Sequence, residues 1–260
     1  MKNNLVIKFG GIFLKNPEFI NQFFSTLQSV ENLLIKKNII IVHGGGCLVD
    51  ELMNQLSIPI IKKNGIRITS KQHINLVTGI LSGTANKIIL AAAKKNKLNT
   101  VGLCLSDGNT LTINKSTNTE LGNVGLPLPS SDEFLYLLFQ KNIIPIISSI
   151  GITNTGKLMN VNADLAATSL ACMLKADLIF LSDVNAVLDG KGKRIKQINK
   201  TQALSLINQG IIRNGMKVKV TTALDAAHTL QRNVEIAGYN NNNLIELLFN
   251  KKSIGTKIIP

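Results

Sequence analysis

Short apolar runs alternate along this chain with longer stretches whose apolar positions recur at helical spacing. That alternation predicts an α/β fold built on a mainly parallel sheet. Leu5-Val6-Ile7-Lys8-Phe9 reads as a strand running into Gly10-Gly11, and Ile39-Ile40-Ile41-Val42-His43 as a second running into Gly44-Gly45-Gly46. Residues 100–105, 143–148 and 178–182 complete the expected set, and 158–161 reads as a further strand. Helices are expected over 18–37, 47–56, 71–95, 131–141, 163–175 and 221–230. The segment 106–126 is rich in Thr, Asn and Gly and alternates like a pair of hairpin strands, and the run of Asn at 240–243 reads as a polar loop. Ligands collect at the carboxyl ends of strands in open α/β sheets. Gly10-Gly11, the triplet 44–46 and Ser182-Asp183 are therefore expected on one rim.

Composition narrows the class. The chain has 260 residues, 45% of them apolar, and a mean hydropathy of +0.20, enough for a sizeable core. No uninterrupted apolar run reaches the length of a membrane span, and the apolar stretch at the start, Leu5-Val6-Ile7, is short and interrupted by Lys8. No membrane association is expected. Cys47, Cys104 and Cys172 are odd in number and scattered, which argues against a disulfide scaffold and fits a cytoplasmic protein. Twenty-nine Lys plus Arg against fifteen acidic residues give a net charge of +14, which raises the question of nucleic acid. The lysines are dispersed, however, Trp is absent and aromatics are few, so the charge is better suited to drawing anionic small molecules into a cleft.

Several motifs carry chemistry. Gly151 to Lys157 fits GxxxxGK, but Leu158 stands where a P-loop needs Ser or Thr, and Thr153-Asn154-Thr155-Gly156 reads as a hairpin turn. Three glycines between a buried strand and a helix suit an anion held by backbone N–H groups, beyond what a tight turn requires. Lys8 interrupts an apolar strand; it is either a cation near the strand end that reaches a phosphate, or an edge-strand or snorkelling lysine. Arg67 is either a bidentate carboxylate clamp or an exposed loop arginine. Asn160 and Asn162 share one face if extended, and Asp164 stands at a helix start. His43, His73 and His228 have no metal-ligand spacing.

Seven stretches in order together resemble the amino acid kinase family over essentially the whole chain. They are Ile7–Gly11, Val42–Gly46, Lys63–Thr69, Gly83–Lys87, Met159–Asp164, Leu181–Val184 and Gly215–Lys219. The resemblance implies an open three-layer αβα sandwich of two lobes: residues 1–176 for the acyl amino acid and for dimerisation, 177–260 for ATP. It further implies a homodimer and Mg²⁺ arriving with ATP. Lys8 and Lys219 match the lysines that neutralise the transferring phosphoryl group, and Asp164 the carboxylate that holds them both. Gly45 and Gly46 match backbone donors to the substrate, and Arg67 and Asn160 the groups holding its α-carboxylate. Gly11 lies in the matching phosphate-facing loop. Asp183, Val184, Asn185, Ala186, Val187 and Leu188, with Ile211, Ile212 and Arg213, match segments lining the nucleotide. Ala186 departs from a common family glycine, and Lys217 adds a charge two residues before Lys219.

The activity implied is ATP-dependent phosphorylation of the γ-carboxylate of N-acetyl-L-glutamate, a step toward arginine. Such a carboxylate is already ionised at pH 7, so the chemistry asks for positioning and fixed positive charge rather than a general base. Kinases for glutamate, aspartate, carbamate and UMP are the rivals within the fold, and a basic nucleic-acid-binding protein the rival outside it. The segment Lys63-Asn64-Gly65-Ile66-Arg67 leans toward the acetylated substrate. Arginine-inhibited members carry an extra amino-terminal helix; with a first strand starting close to Met1, an arginine-insensitive dimer is expected.

Overall fold

The computed structural model describes residues 2–63, 65–239, 244–250 and 252–260. Asn64 and the polar run 240–243 singled out above lie outside the described residues. The eight strands of the central sheet are numbered here in chain order: β1 (Asn3–Phe9), β2 (Lys37–His43), β3 (Thr100–Leu103), β4 (Ile144–Ser148), β5 (Asp177–Ser182), β6 (Gln197–Ile198), β7 (Val234–Gly238) and β8 (Thr256–Ile258). They lie in the order β6-β8-β7-β5-β1-β2-β4-β3. All neighbouring pairs are parallel except β7 with β8, so the sheet is mainly parallel, as the strand-and-helix alternation predicts.

Alternation along β1 sorts its side chains between two cores. Leu5, Ile7 and Phe9 bury against Ile20, Phe23 and Phe24 of the helix Pro17–Ser29 and against Ile89 and Ala93 of the helix Asn86–Lys95. Val6 points the other way, into a cluster with Ala166, Ala167 and Leu170 of the helix Ala163–Leu174 and Val220 and Ala223 of the helix Asn214–Leu230. Period-2 strands between amphipathic helices thus give the three expected layers. β1 is flanked on both sides, with Lys8 opposite Val42 of β2 and Phe180 of β5. Lys8 therefore stands on a central strand, and the edge-strand reading falls away. β5 pairs directly with β1, so one sheet continues through residue 176.

A second, four-stranded sheet holds Leu111–Lys115, Val124–Pro129, Leu158–Val161 and Ile150–Ile152 in that order. Its first two strands are the antiparallel hairpin expected in 106–126. Thr153 N–H donates to Lys157 O at 3.0 Å, closing the turn between antiparallel Ile150–Ile152 and Leu158–Val161; the GxxxxGK match is this hairpin.

Two expectations need correction. The helix expected over 18–37 breaks at Val30, which leaves helical backbone, and after a short turn Glu31–Leu34 the chain enters β2 at Lys37. The helix expected at 221–230 begins at Asn214, because tertiary packing of Val220 and Ala223 overrides a Lys217–Val220 stretch that alternates like a strand. The helix Ile74–Lys95 is long and apolar enough, by length and composition, to cross a membrane. It contains a π-helical turn, Gly79–Ala85, and contributes Ala85, Ile89 and Ala93 to the core beside β1.

Candidate active site

Two glycine loops meet at the carboxyl ends of β1 and β2. Gly10 N–H donates to Leu181 O at 2.9 Å, which seats the first loop against β5. Gly45 has φ +155°, and a Cβ there would lie 2.9 Å from Leu81 Cδ2 and 3.1 Å from Ala85 Cβ. Both backbone conformation and packing demand glycine. The helix Gly46–Gln55 follows with no side-chain cap, so its first N–H groups are left for a ligand anion. Cys47 Sγ–H donates to Gly11 O at 3.0 Å, joining the two loops.

His43 anchors the second loop from below. Its Nδ1 lies 2.7 Å from Gly44 O and its Nε2 3.0 Å from Asn86 Nδ2, an arrangement that suits the neutral Nδ1–H tautomer. Burial pushes its pKa down to about 4, the Gly44 carbonyl opposing and Lys87 adding to the fall. This histidine holds backbone rather than moving protons.

Beside the loops, Lys8 Nζ lies 2.6 Å from Asp164 Oδ1, both side chains largely buried. The Phe180 ring centroid is 6.0 Å from the same ammonium. Asp164 is placed by Asn162, whose Oδ1 accepts from the N–H groups of Asp164 at 2.8 Å and Leu165 at 3.1 Å and so caps the helix Ala163–Leu174. Asn160, one strand position pair earlier, donates to Thr69 Oγ1 at 3.0 Å.

Arg67 is buried, 7% exposed, rather than an exposed loop residue. It sits on the two-stranded hairpin Lys62–Lys63 and Ile66–Arg67. Its Nη2 donates to Gly46 O at 3.0 Å and to Asp50 Oδ1 at 2.5 Å. Lys62 Nζ donates to Asp50 Oδ2 at 2.7 Å. Burial alone would raise the Asp50 carboxyl, but the hydrogen bonds from Lys62 and Arg67 outweigh it and hold it below the ordinary aspartate value. Asp50 and Lys62 escaped the sequence reading: on an amphipathic helix Asp50 looks like any polar-face residue, and only the fold of the hairpin gives it a role. Lys8, Gly11, Gly45, Gly46, Arg67, Asn160 and Asp164 all line one cleft, with Val77 and Leu81 among its apolar walls.

The remaining expected residues form a second group on the other side of β1. Asp183 follows β5 and ion-pairs with Lys219 of the helix Asn214–Leu230. That bond holds the Asp183 carboxyl below its ordinary value against the opposing effect of burial. Lys217 is exposed. Asp164 thus pairs with Lys8, whereas Lys219 pairs with Asp183. Val184 N–H donates to Ser182 Oγ at 3.2 Å, and Asn185 packs against Gly238, where no side chain would fit. Ala186 and Val187 are buried and Leu188 is half-exposed. Ile211 lies beside Gly190, Ile212 is buried, and exposed Arg213 precedes the helix that carries Lys219. Among the described residues no group of three or more His, Cys, Asp or Glu could hold a metal ion; the cleft's chemistry is that of cations and N–H donors.

A model of the amino acid kinase family matches residues 3–238. The chain is 54% identical over 259 residues to acetylglutamate kinase of Buchnera aphidicola subsp. Schizaphis graminum, covering 100% of both chains. It is 51% identical over 258 residues to acetylglutamate kinase of Yersinia pestis, covering 99% of each. Among solved structures, smu.665 from Streptococcus mutans superposes with a TM-score of 0.79 at 27% identity, covering 100% of this chain and 99% of that one. An N-acetylglutamate synthase from Neisseria gonorrhoeae shares the fold, with a TM-score of 0.82 at 20% identity over 99% of this chain and 59% of that one. Matched by the family model over most of its length and by relatives over all of it, the chain belongs to the amino acid kinase family.

Proposed function

We propose that this chain is an acetylglutamate kinase, transferring the γ-phosphoryl group of ATP to the γ-carboxylate of N-acetyl-L-glutamate on the way to arginine. The observation that carries the reading is a single cleft with two anion-binding poles, in a chain alike from end to end to acetylglutamate kinases. One pole is the Gly44–Gly46 loop with Lys8; the other is Arg67 with Asn160. A dicarboxylate fits such a site, its α-carboxylate at Arg67 and its γ-carboxylate toward the glycine N–H groups.

In this reading the reacting carboxylate is ionised at neutral pH and attacks without a base. Lys8, held by Asp164, offsets charge as the phosphoryl group passes, and the loop N–H groups position the attacking oxygen. Lys219 serves the nucleotide side, exchanging Asp183 for phosphate oxygens. Asp183 to Leu188 and Ile211 to Arg213 flank the nucleotide, in a carboxyl-terminal lobe of residues 177–260 that faces the amino-terminal lobe 1–176. Mg²⁺ comes with ATP, since lysines and N–H donors suit a metal-bearing polyanion better than a bare cation. The working form is a homodimer in the cytoplasm.

Steady-state turnover of ATP with N-acetyl-L-glutamate, L-glutamate, L-aspartate, carbamate and UMP tests the substrate. Turnover confined to N-acetyl-L-glutamate is expected; preference for another acceptor would retain the fold and displace the substrate assignment.

A further inference from the structure

Asp50 stands one helical turn beyond Gly46, so the Gly46 carbonyl and the Asp50 carboxylate present themselves on the same side of the helix Gly46–Gln55. One nitrogen of Arg67 bridges them, with Nη2 at 3.0 Å from Gly46 O and 2.5 Å from Asp50 Oδ1. The second carboxylate oxygen takes Lys62 at 2.7 Å. Lys62 and Arg67 are direct partners across their hairpin. A single carboxylate therefore ties both strands of that hairpin to the helix that starts at the glycine loop. Lys62 and Arg67 line the cleft, while Asp50 stands behind them.

Charge and donor arithmetic point the same way. Two cations sharing one carboxylate leave one net positive charge, the complement of a single ligand carboxylate. Gly46 and Asp50 occupy both Nη2 hydrogens, and Met53 Sδ at 3.3 Å takes one on Nη1. Nε–H and the second Nη1–H of the guanidinium are then left for a ligand. Without Asp50, two like charges would face each other across a short hairpin, and Arg67 would keep only one carbonyl and one weak sulfur acceptor.

We propose that Asp50 is a positioning residue that fixes Arg67 against the glycine loop, sets the span between the two carboxylate poles, and so makes the enzyme select acceptors that carry an α-carboxylate. The inference rests on the acetylglutamate kinase reading above. It does not require Asp50 to touch the substrate.

The test compares the full-length enzyme with Asp50→Asn, which preserves shape and removes charge, on two acceptors. One is N-acetyl-L-glutamate; the other is 4-acetamidobutanoate, the same molecule without the α-carboxylate. In the variant, kcat/KM for N-acetyl-L-glutamate should fall about tenfold or more, the scale of one lost charge-assisted hydrogen bond. The loss should sit mainly in KM for the acceptor, with KM for ATP unchanged. Activity on 4-acetamidobutanoate should change less than about twofold, because that acceptor never used Arg67. Where its turnover is too slow to measure, dissociation constants of the two compounds by calorimetry give the same ratio. Asp50→Glu, which keeps the charge, should retain more of the preference than Asp50→Asn. Equal losses on both acceptors, no loss on either, or a preference retained better by Asn than by Glu would overturn the proposal. A wild-type enzyme that ignores N-acetyl-L-glutamate would instead refute the underlying reading, before any variant is compared.

Discussion

The Lys8 ammonium rests 2.6 Å from the Asp164 carboxylate, joining the central strand of the sheet to the first turn of the helix Ala163–Leu174. Lys8 is the one polar side chain in the run from Leu5 to Phe9, and a cation on a central strand is kept only with a partner or a task. Lys8→Ala should lower kcat by about 100-fold or more, the scale of removing one preorganised charge from a reacting centre, while KM for ATP changes little. Steady-state kinetics of the purified variant checks this; near-wild-type kcat would deny Lys8 its role.

Two lysines on the helix Asn214–Leu230 offer an internal control. Lys219 reaches Asp183, whereas Lys217 is exposed. Lys219→Ala should cut turnover at least tenfold and weaken ATP, by the loss of a charge-assisted contact to phosphate. Lys217→Ala should leave both within about twofold, as surface substitutions usually do. The opposite ranking of the two variants would exchange their roles.

Gly45→Ala is expected to damage stability and turnover together. The position has positive φ and would press a methyl group against Leu81 and Ala85. The backbone strain alone is worth about 1–3 kcal/mol. Denaturant unfolding and kinetics of the same preparation test it, and an unchanged variant would mean the loop can be built without that geometry.

His43 makes stability depend on pH. Its pKa is about 4 in the folded chain against 6.5 ordinarily. Between those values the unfolded chain binds a proton that the native one refuses, so stability present above pH 6.5 is lost as pH falls toward 4. Each pH unit in that window costs about 1.4 kcal/mol, roughly 3 kcal/mol in all. Urea midpoints at pH 7 and pH 5 should converge in His43→Gln relative to wild type. Identical pH dependence in both proteins would contradict this account of the histidine.

Much of the architecture was legible because strong local signals and tertiary structure agree. Continuous apolar runs such as Ile39–Val42 announce buried parallel strands, and the glycines that follow them announce the rim. The carboxyl-terminal strands were not legible for physical reasons. Gln197–Ile198 and Thr256–Ile258 are too short to show a period. Val234–Gly238 carries Glu235, a buried acid that reads as surface until Ser253 Oγ and Gly255 N–H are seen donating to it at 2.7 and 2.9 Å. The same limit applies at the site. Lys8 stood out as a charge inside an apolar run, but Asp50 and Lys62 occupy positions where charge is ordinary, and only the geometry around Arg67 distinguishes them.

The central claim is that an acyl phosphate forms on N-acetyl-L-glutamate. Hydroxylamine trapping during ATP turnover tests it most directly, because only an activated carboxyl yields a hydroxamate. The account predicts hydroxamate that requires both ATP and N-acetyl-L-glutamate and falls sharply in Lys8→Ala. ATP consumption without hydroxamate, or none with that acceptor, would contradict it.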